Sequence, residues 1–278
     1  MKAALRHPSF AIGAALSALL LVAALLSLLW SPYPPADIDI PAKLQAPSAA
    51  HWLGTDSLGR DIASQLLVGS QNSIVVGVVA VGIGLIPGVA LGCLAAAQSA
   101  AGRRWVDELL MRAADFSFAF PALLLAIMLT ALYGPGLLMS IVAIGLFNIP
   151  VFARIARGAA RAVWSREYVT AARAAGLTPL AITRDHVLPN IASVLIVQAT
   201  ISFATAILAE AALSYLGLGT QPPQPSWGRM LNEAQTQLFQ APQLALYPGL
   251  AIVLSVLGLN LMGDGLRDLL DPRLNRQR

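Results

Sequence analysis

Lysine is almost missing from this chain: Lys2 and Lys43 are the only two in 278 residues, and neither follows a glycine. A P-loop needs a lysine behind a glycine-rich turn to hold nucleotide phosphates, so ATP hydrolysis of the usual kind is excluded. A single cysteine, Cys93, permits no intramolecular disulfide and no cysteine-based metal cluster. The three histidines, His7, His51 and His186, fall on separate segments, and neither a His-Glu-x-x-His pair nor a Gly-x-Ser-x-Gly elbow occurs. No metal site is expected, and the chain does not read as an enzyme. Charge is scarce as well: 12% of residues are charged, 57% are hydrophobic, and the mean hydropathy is +0.69. A soluble domain carries about 25% charged residues, and half that fraction leaves too little polar surface to coat a sphere of this size. The pI of 9.6 would point to nucleic acid only if the basic residues formed a stripe on a soluble fold. They fall between apolar runs instead, so a nucleic-acid partner is not expected.

Those apolar runs fill the chain. Six of them, residues 10–30, 74–97, 116–132, 136–153, 191–209 and 244–262, contain no charged residue. Crossing a hydrocarbon core of about 30 Å takes about 20 helical residues. The third and fourth runs are short and are expected to extend through flanking polar residues such as Asp115 and Arg154. Lipid offers the backbone no hydrogen-bond partner, so such runs are helices, and they lack the alternation of barrel strands. The expected fold is an all-α integral membrane protein with six transmembrane helices. With the amino terminus inside, only Lys43, Arg60 and Arg229 of the 18 basic residues fall on outer segments, and the positive-inside rule then places both termini in the cytoplasm. The first run exceeds the roughly 7–15 residues of a signal-peptide core, and Ser31-Pro32-Tyr33-Pro34-Pro35 follows it instead of a cleavage site. It is therefore read as a retained anchor.

The connections differ in character. The outer segment 31–73 carries Leu53-Gly54-Thr55-Asp56-Ser57-Leu58-Gly59-Arg60-Asp61, a turn-rich stretch with a helix-cap candidate, followed by a short interfacial helix over 62–70. The inner segment 154–190 is too long for a simple connection. It reads as a helix over 165–175, a break at Gly176, and a second helix from Thr178-Pro179 to Leu188, ending at Pro189. Six arginines against Glu167 and Asp185 suit either anionic lipid headgroups or a soluble partner that docks against the small side chains. The second outer segment, 215–243, holds a stiff Pro222-Pro223-Gln224-Pro225-Ser226-Trp227 stretch; Trp227 is read as an interfacial anchor or part of a docking surface, with a short helix after it. Arg267 and Asp271 are spaced to pair on a final helical turn. Three units follow: 1–72 as anchor and outer segment, 73–266 as the transmembrane domain with its coupling segment at 161–190, and 267–278 as a cytoplasmic tail. Inside the spans, Gln198, Ser202 and Thr205 share one face of the fifth helix and are candidates for lining a path. Glu210, off that face at the span's end, is a functional candidate as an ionisable intramembrane group, or is simply hydrated.

The inner segment carries a resemblance. Tyr168-Val169-Thr170-Ala171-Ala172-Arg173-Ala174-Ala175-Gly176, nine residues, then His186-Val187-Leu188-Pro189-Asn190 resembles the EAA loop of bacterial ABC importer permeases. Thr170 stands where that motif has Glu and His186 where it has Ile, as in the peptide branch. The stretch from Leu53 to Asp61, the run Leu213-Ser214-Tyr215-Leu216-Gly217-Leu218-Gly219 with Trp227-Gly228, and Asn260–Asp268 with Asp271-Pro272 are similar to the C-type subunit of dipeptide, oligopeptide and nickel permeases. The resemblance implies a type I importer fold with a cytoplasmic coupling helix-turn-helix in the bacterial inner membrane. It implies a heterodimer with a homologous B-type permease, two cytoplasmic ATPases that carry ATP and Mg, and an extracytoplasmic substrate-binding protein, with no cofactor in this chain. Tyr168, Thr170, Ala171, Ala172, Arg173, Gly176, His186, Leu188 and Pro189 would then couple to an ATPase. Gln198, Ser202, Thr205 and Glu210 would line the path, and Pro222, Pro223 and Trp227 would meet the binding protein. The substrate would be a di- or oligopeptide, with a nickel chelate as the alternative. A secondary transporter, the reading from another class, should show internal repeats and helices broken at mid-membrane, and no repeat aligns.

Overall fold

Long apolar runs become helices where lipid offers the backbone no partner, even with Pro87, Pro150 and Pro248 inside them. The computed structural model, which describes residues 8–119 and 121–270, is built from such helices. Lys2, Arg6, His7, Asp271, Pro272, Arg273, Arg276 and Arg278 lie outside the described residues, and with them the expected Arg267–Asp271 pair. Among the described residues the helices are α1 (Pro8–Leu29), α2 (Ile62–Ala100), α3 (Arg104–Ala119), α4 (Ala122–Tyr133), α5 (Leu137–Trp164), α6 (Glu167–Ala174), α7 (Pro179–Ile182), α8 (Leu188–Tyr215), α9 (Trp227–Ala234) and α10 (Gln243–Leu270). Five helical stretches are long and apolar enough to cross a membrane, and α3 with α4 forms a sixth, bent by 76°.

Close packing of small residues decides how these helices run. Gly84, Gly88 and Gly92 form a stripe on α2 that meets Asn148, then Ile149 and Phe152, then Ala153 and Ala156 of α5. A side chain at Gly88 would sit 2.6 Å from the Ile149 carbonyl and 2.7 Å from Phe152 Cβ. Close backbone approach of this kind is how helices associate where lipid supplies no hydrophobic drive. The paired numbers rise together, so α2 and α5 are parallel. The α1–α10 contacts run the other way, with Gly13 against Leu261 and Met262, Leu16 against Gly258, and Phe10 against Gly265. Those two helices are antiparallel, so Pro8 and the end of α10 share one end of the bundle. This is called the lower end; the segments 31–61 and 216–242 lie at the upper end.

Parallel packing of α2 and α5 also settles the third crossing. The chain leaves α2 at the lower end and enters α5 at the upper end, so α3 and α4 together must climb between them. The straight span expected over 116–132 is therefore corrected to a broken one. Pro121 is the cause: it caps α4 at φ −56° and ψ 135°, lacks an N–H, and disfavours helix in the residue before it. Ion pairs hold α3 to α5 at the lower end: Arg157 Nη2 reaches buried Asp107 at 2.8 Å, and Arg154 pairs with Asp115 while lying over the Phe118 ring.

Two further expectations are corrected. Residues 62–70 form no separate interfacial helix but are the first turns of α2, whose first turn is capped by Asp61 accepting from the Ser64 N–H at 2.8 Å. The boundary drawn at 72/73 thus falls inside α2. Pro189 ends no helix either. A π-turn over Thr183–Val187 joins α7 to α8, with the Leu188 N–H bonded to the Thr183 carbonyl. The wider turn accommodates a proline that has no donor and would otherwise crowd the preceding carbonyls. Helix runs unbroken from Pro179 to Tyr215.

Candidate functional site

At the lower end, α6, Gly176 and α7 form a projecting hairpin. Val169, Ile182 and Val187 are fully buried against Trp164 and root it to the bundle. Gly176 takes φ +85°, and the Gly176 and Leu177 amides close back on Arg173 and Ala172. A non-glycine residue pays about 1 kcal/mol or more for that conformation. Thr178 caps α7 by accepting from the Ala181 N–H at 3.3 Å. Tyr168, Thr170 and Ala171 face outward, and the Tyr168 ring lies 6.1 Å from the His186 ring. Ala172 instead packs against the Val169–Trp164 cluster, and Arg173 turns back to donate to the Ala100 carbonyl at 3.0 Å beneath Trp164. His186 and Leu188 are half-buried; Pro189 is exposed. Sequence reasoning missed Leu177 and Leu180, which are 38% and 79% exposed at the tip. Their signal was two large leucines flanking Thr178-Pro179 in a turn otherwise made of small residues.

Between α4, α5 and α8 lies an open groove of 510 Å³. Gln198, Ser202 and Thr205 line it together, as their spacing on one face requires, and Asn148 joins them from α5 among Phe147, Val151 and Ile201. Gln198 Nε2 donates to Ser202 Oγ at 3.2 Å. Thr205 bonds back to its own helix, and Asn148 donates to the Ile144 carbonyl at 3.0 Å. The groove is therefore mostly apolar with a thin polar strip. Glu210 is not among its lining residues.

The upper end is braced by a charged network. Asp56 accepts from the Leu58 and Arg60 amides at 2.8 and 3.0 Å, from Arg60 Nε at 2.6 Å and from Gln65 Nε2 at 2.8 Å. Arg60 also pairs with Glu233 of α9, which holds Arg229 as well. Burial opposes the Arg60 charge, but Asp56 and Glu233 outweigh it and hold the guanidinium above its ordinary value. The stretch from Leu53 to Asp61 is thus a brace that fastens one upper segment to the other. Trp227 is buried at 4% exposure; its Nε1–H donates to the Leu66 carbonyl at 3.0 Å and its ring lies against Gly69. The indole itself offers no outward surface. Pro222, Pro223 and Gln224 form the exposed tip.

Comparison with known proteins bears on this arrangement. A family model described as "Binding-protein-dependent transport system inner membrane component" matches residues 88–276, which cover the helices that build the groove and the whole hairpin. The chain belongs to this family. It is thus a multi-pass membrane component of a transport system. Among its relatives, the glutathione transport system permease protein GsiD of Pectobacterium atrosepticum is 45% identical over 230 residues, covering 83% of this chain and 75% of that protein. The di/tripeptide transport system permease protein DppC of Pseudomonas aeruginosa is 45% identical over 276 residues, covering 96% and 89%. A solved chain of the MetNI methionine ABC transporter, in an inward-facing form, superposes with a TM-score of 0.61 at 19% identity, covering 74% of this chain and 96% of that one. That likeness is one of fold, the type I permease fold of ABC importers. Within the transport-system component, the match begins at Gly88, in the middle of the glycine stripe, so α1 and the 31–61 brace lie outside the matched region.

Proposed function

We propose that this chain is one of two permease subunits of an ATP-driven peptide importer, and that its lower end faces the cytoplasm. The observation that carries the reading is the hairpin of α6, Gly176 and α7. It has the spacing of the family's coupling motif, projects apolar Leu177 and Leu180, and continues without a break into α8, which lines the groove. A helix that joins a docking tip to the groove is a mechanical lever. ATPases closing on Thr170, Ala171, Leu177 and Leu180 would tilt α8 and change access along Gln198, Ser202 and Thr205. The open face of the groove suits a homologous B-type permease as its other wall. The Pro222–Gln224 tip suits contact with a binding protein at the opposite end. ATP and Mg belong to the partner ATPases, since no P-loop lysine exists here. Peptides are the substrate class of the two relatives named above, and the mostly apolar groove, with hydroxyl and amide groups but no charged side chain lining it, suits passage without tight capture. Affinity purification of the tagged subunit, expressed with its neighbouring transport genes, tests this. The two ATPases and a second permease should co-elute; their absence, with the subunit intact, contradicts the reading.

A further inference from the structure

Glu210 stands apart from the groove, and its surroundings indicate its role. Its carboxyl is 1% exposed near the upper end of α8. Ser214 Oγ, one turn on, donates to Glu210 Oε1 at 2.6 Å, and Thr220 Oγ1 donates to the same oxygen at 3.2 Å. Ser226, the buried capping residue of α9, has its hydroxyl close to this carboxyl and accepts the Arg229 N–H at 3.2 Å. Ser214 Oγ in turn accepts the Thr220 N–H at 2.9 Å. Ser214, Thr220 and Ser226 are each buried to 3% exposure or less. Two hydroxyls, one from the helix and one from the loop beyond it, therefore converge on one acceptor oxygen, with Ser226 of the α9 cap beside them.

The loop they belong to leaves α8 by a closed turn. Gly217 takes φ +80°, its N–H bonds to the Ser214 carbonyl, and the Leu218 N–H bonds to the Leu213 carbonyl. Asn72 of α2 donates to the Pro225 carbonyl at 2.6 Å, and Asn232 of α9 donates to the Tyr215 carbonyl at 2.7 Å. Beyond Leu216 and Gly217, where the loop leaves the helix, only the tip from Pro222 to Gln224 is exposed.

We propose that Glu210 is a positioning residue that fastens the 216–226 loop to the end of α8, so that the exposed tip and the groove-lining helix move as one body. The inference rests on the importer reading and adds a direct mechanical link from the upper face to α8. What the loop needs from Glu210 is an acceptor oxygen, and a glutamine supplies one in the same place. A residue acting in the path by gaining and losing a proton needs the carboxyl itself.

The test uses the complete reconstituted complex. ATPase activity is titrated with binding protein, and amide hydrogen exchange is followed across 216–226. Glu210→Gln should leave the half-saturating binding-protein concentration within about twofold of the wild type, and Glu210→Ala should raise it by about tenfold. In Glu210→Ala the Thr220 amide should lose protection while basal ATPase activity is retained. Thr220→Val, which keeps the carboxyl and removes one donor, should shift half-saturation in the same direction and serves where Glu210→Ala fails to assemble. Equal damage from Glu210→Gln and Glu210→Ala overturns the inference, as does unchanged half-saturation in Thr220→Val. A wild-type complex that ignores binding protein altogether refutes the importer reading instead, and the exchange measurement still reports on the loop.

Discussion

At Trp227 an indole from the upper loop is seated inside the bundle, against Gly69 and hydrogen-bonded to the Leu66 carbonyl. Removing a buried aromatic side chain costs about 3–5 kcal/mol, so Trp227→Ala should lower thermal stability and reduce basal and binding-protein-stimulated ATPase activity together. Trp227→Phe loses mainly one hydrogen bond, about 1 kcal/mol, and should sit close to the wild type. A selective loss of stimulation, with stability unchanged, would contradict the buried role. This burial was not legible in the sequence, because it depends on a glycine on α2 that leaves room for the ring. The surroundings of Glu210 were equally hidden, since Thr220 arrives from a loop and Ser226 from the cap of another helix. Gln198, Ser202 and Thr205 were legible, because helical periodicity alone puts them on one face.

Among the elements, the parallel α2–α5 pair and the lower hairpin carry the argument. Gly88→Leu would force the Ile149 and Phe152 contacts apart, and overpacking typically costs about 1–3 kcal/mol. The variant should insert but yield less folded subunit in detergent, as size-exclusion chromatography would register; unchanged yield contradicts the packing described. Leu180 is exposed, and substitutions at such sites usually change stability by no more than about 0.5 kcal/mol. Leu180→Glu should therefore leave the subunit stable yet lose the co-purifying ATPases. Retained ATPases would mean that the tip is not the docking point. The break in the third crossing and the glycine stripe went unread in the sequence, although Pro121 and the spacing of four from Gly84 to Gly92 carried their signals. The π-turn before Pro189 carried no such signal, since a proline after an apolar run signals a helix end as readily as a tolerated bulge. Whether residues 62–70 join α2 was also ambiguous locally; it is settled by the Asp61 cap and packing against α9.

For the whole molecule, five crossings and one bent crossing bring the start of α1 and the end of α10 to the same end of the bundle. The distribution of basic residues predicts that this end is cytoplasmic. In a Cys93→Ala background, a single cysteine at Arg166 should resist impermeant thiol reagents in intact cells, and one at Pro222 should react; the reverse pattern inverts the orientation. The apolar runs made the crossings legible in the sequence, because the cost of moving charge through lipid keeps charged residues out of them; the same cost underlies the sidedness that the labelling tests. What it left open was how the hairpin connects to the groove, and that connection is the core of the account. It is tested most directly by ATP-dependent uptake of a labelled dipeptide into proteoliposomes holding the complete complex, measured alongside ATP hydrolysis, for the wild type and for Gly176→Val combined with Ala171→Trp. The account predicts robust uptake by the wild type and loss of uptake per ATP hydrolysed in the variant; equal uptake by both would contradict it.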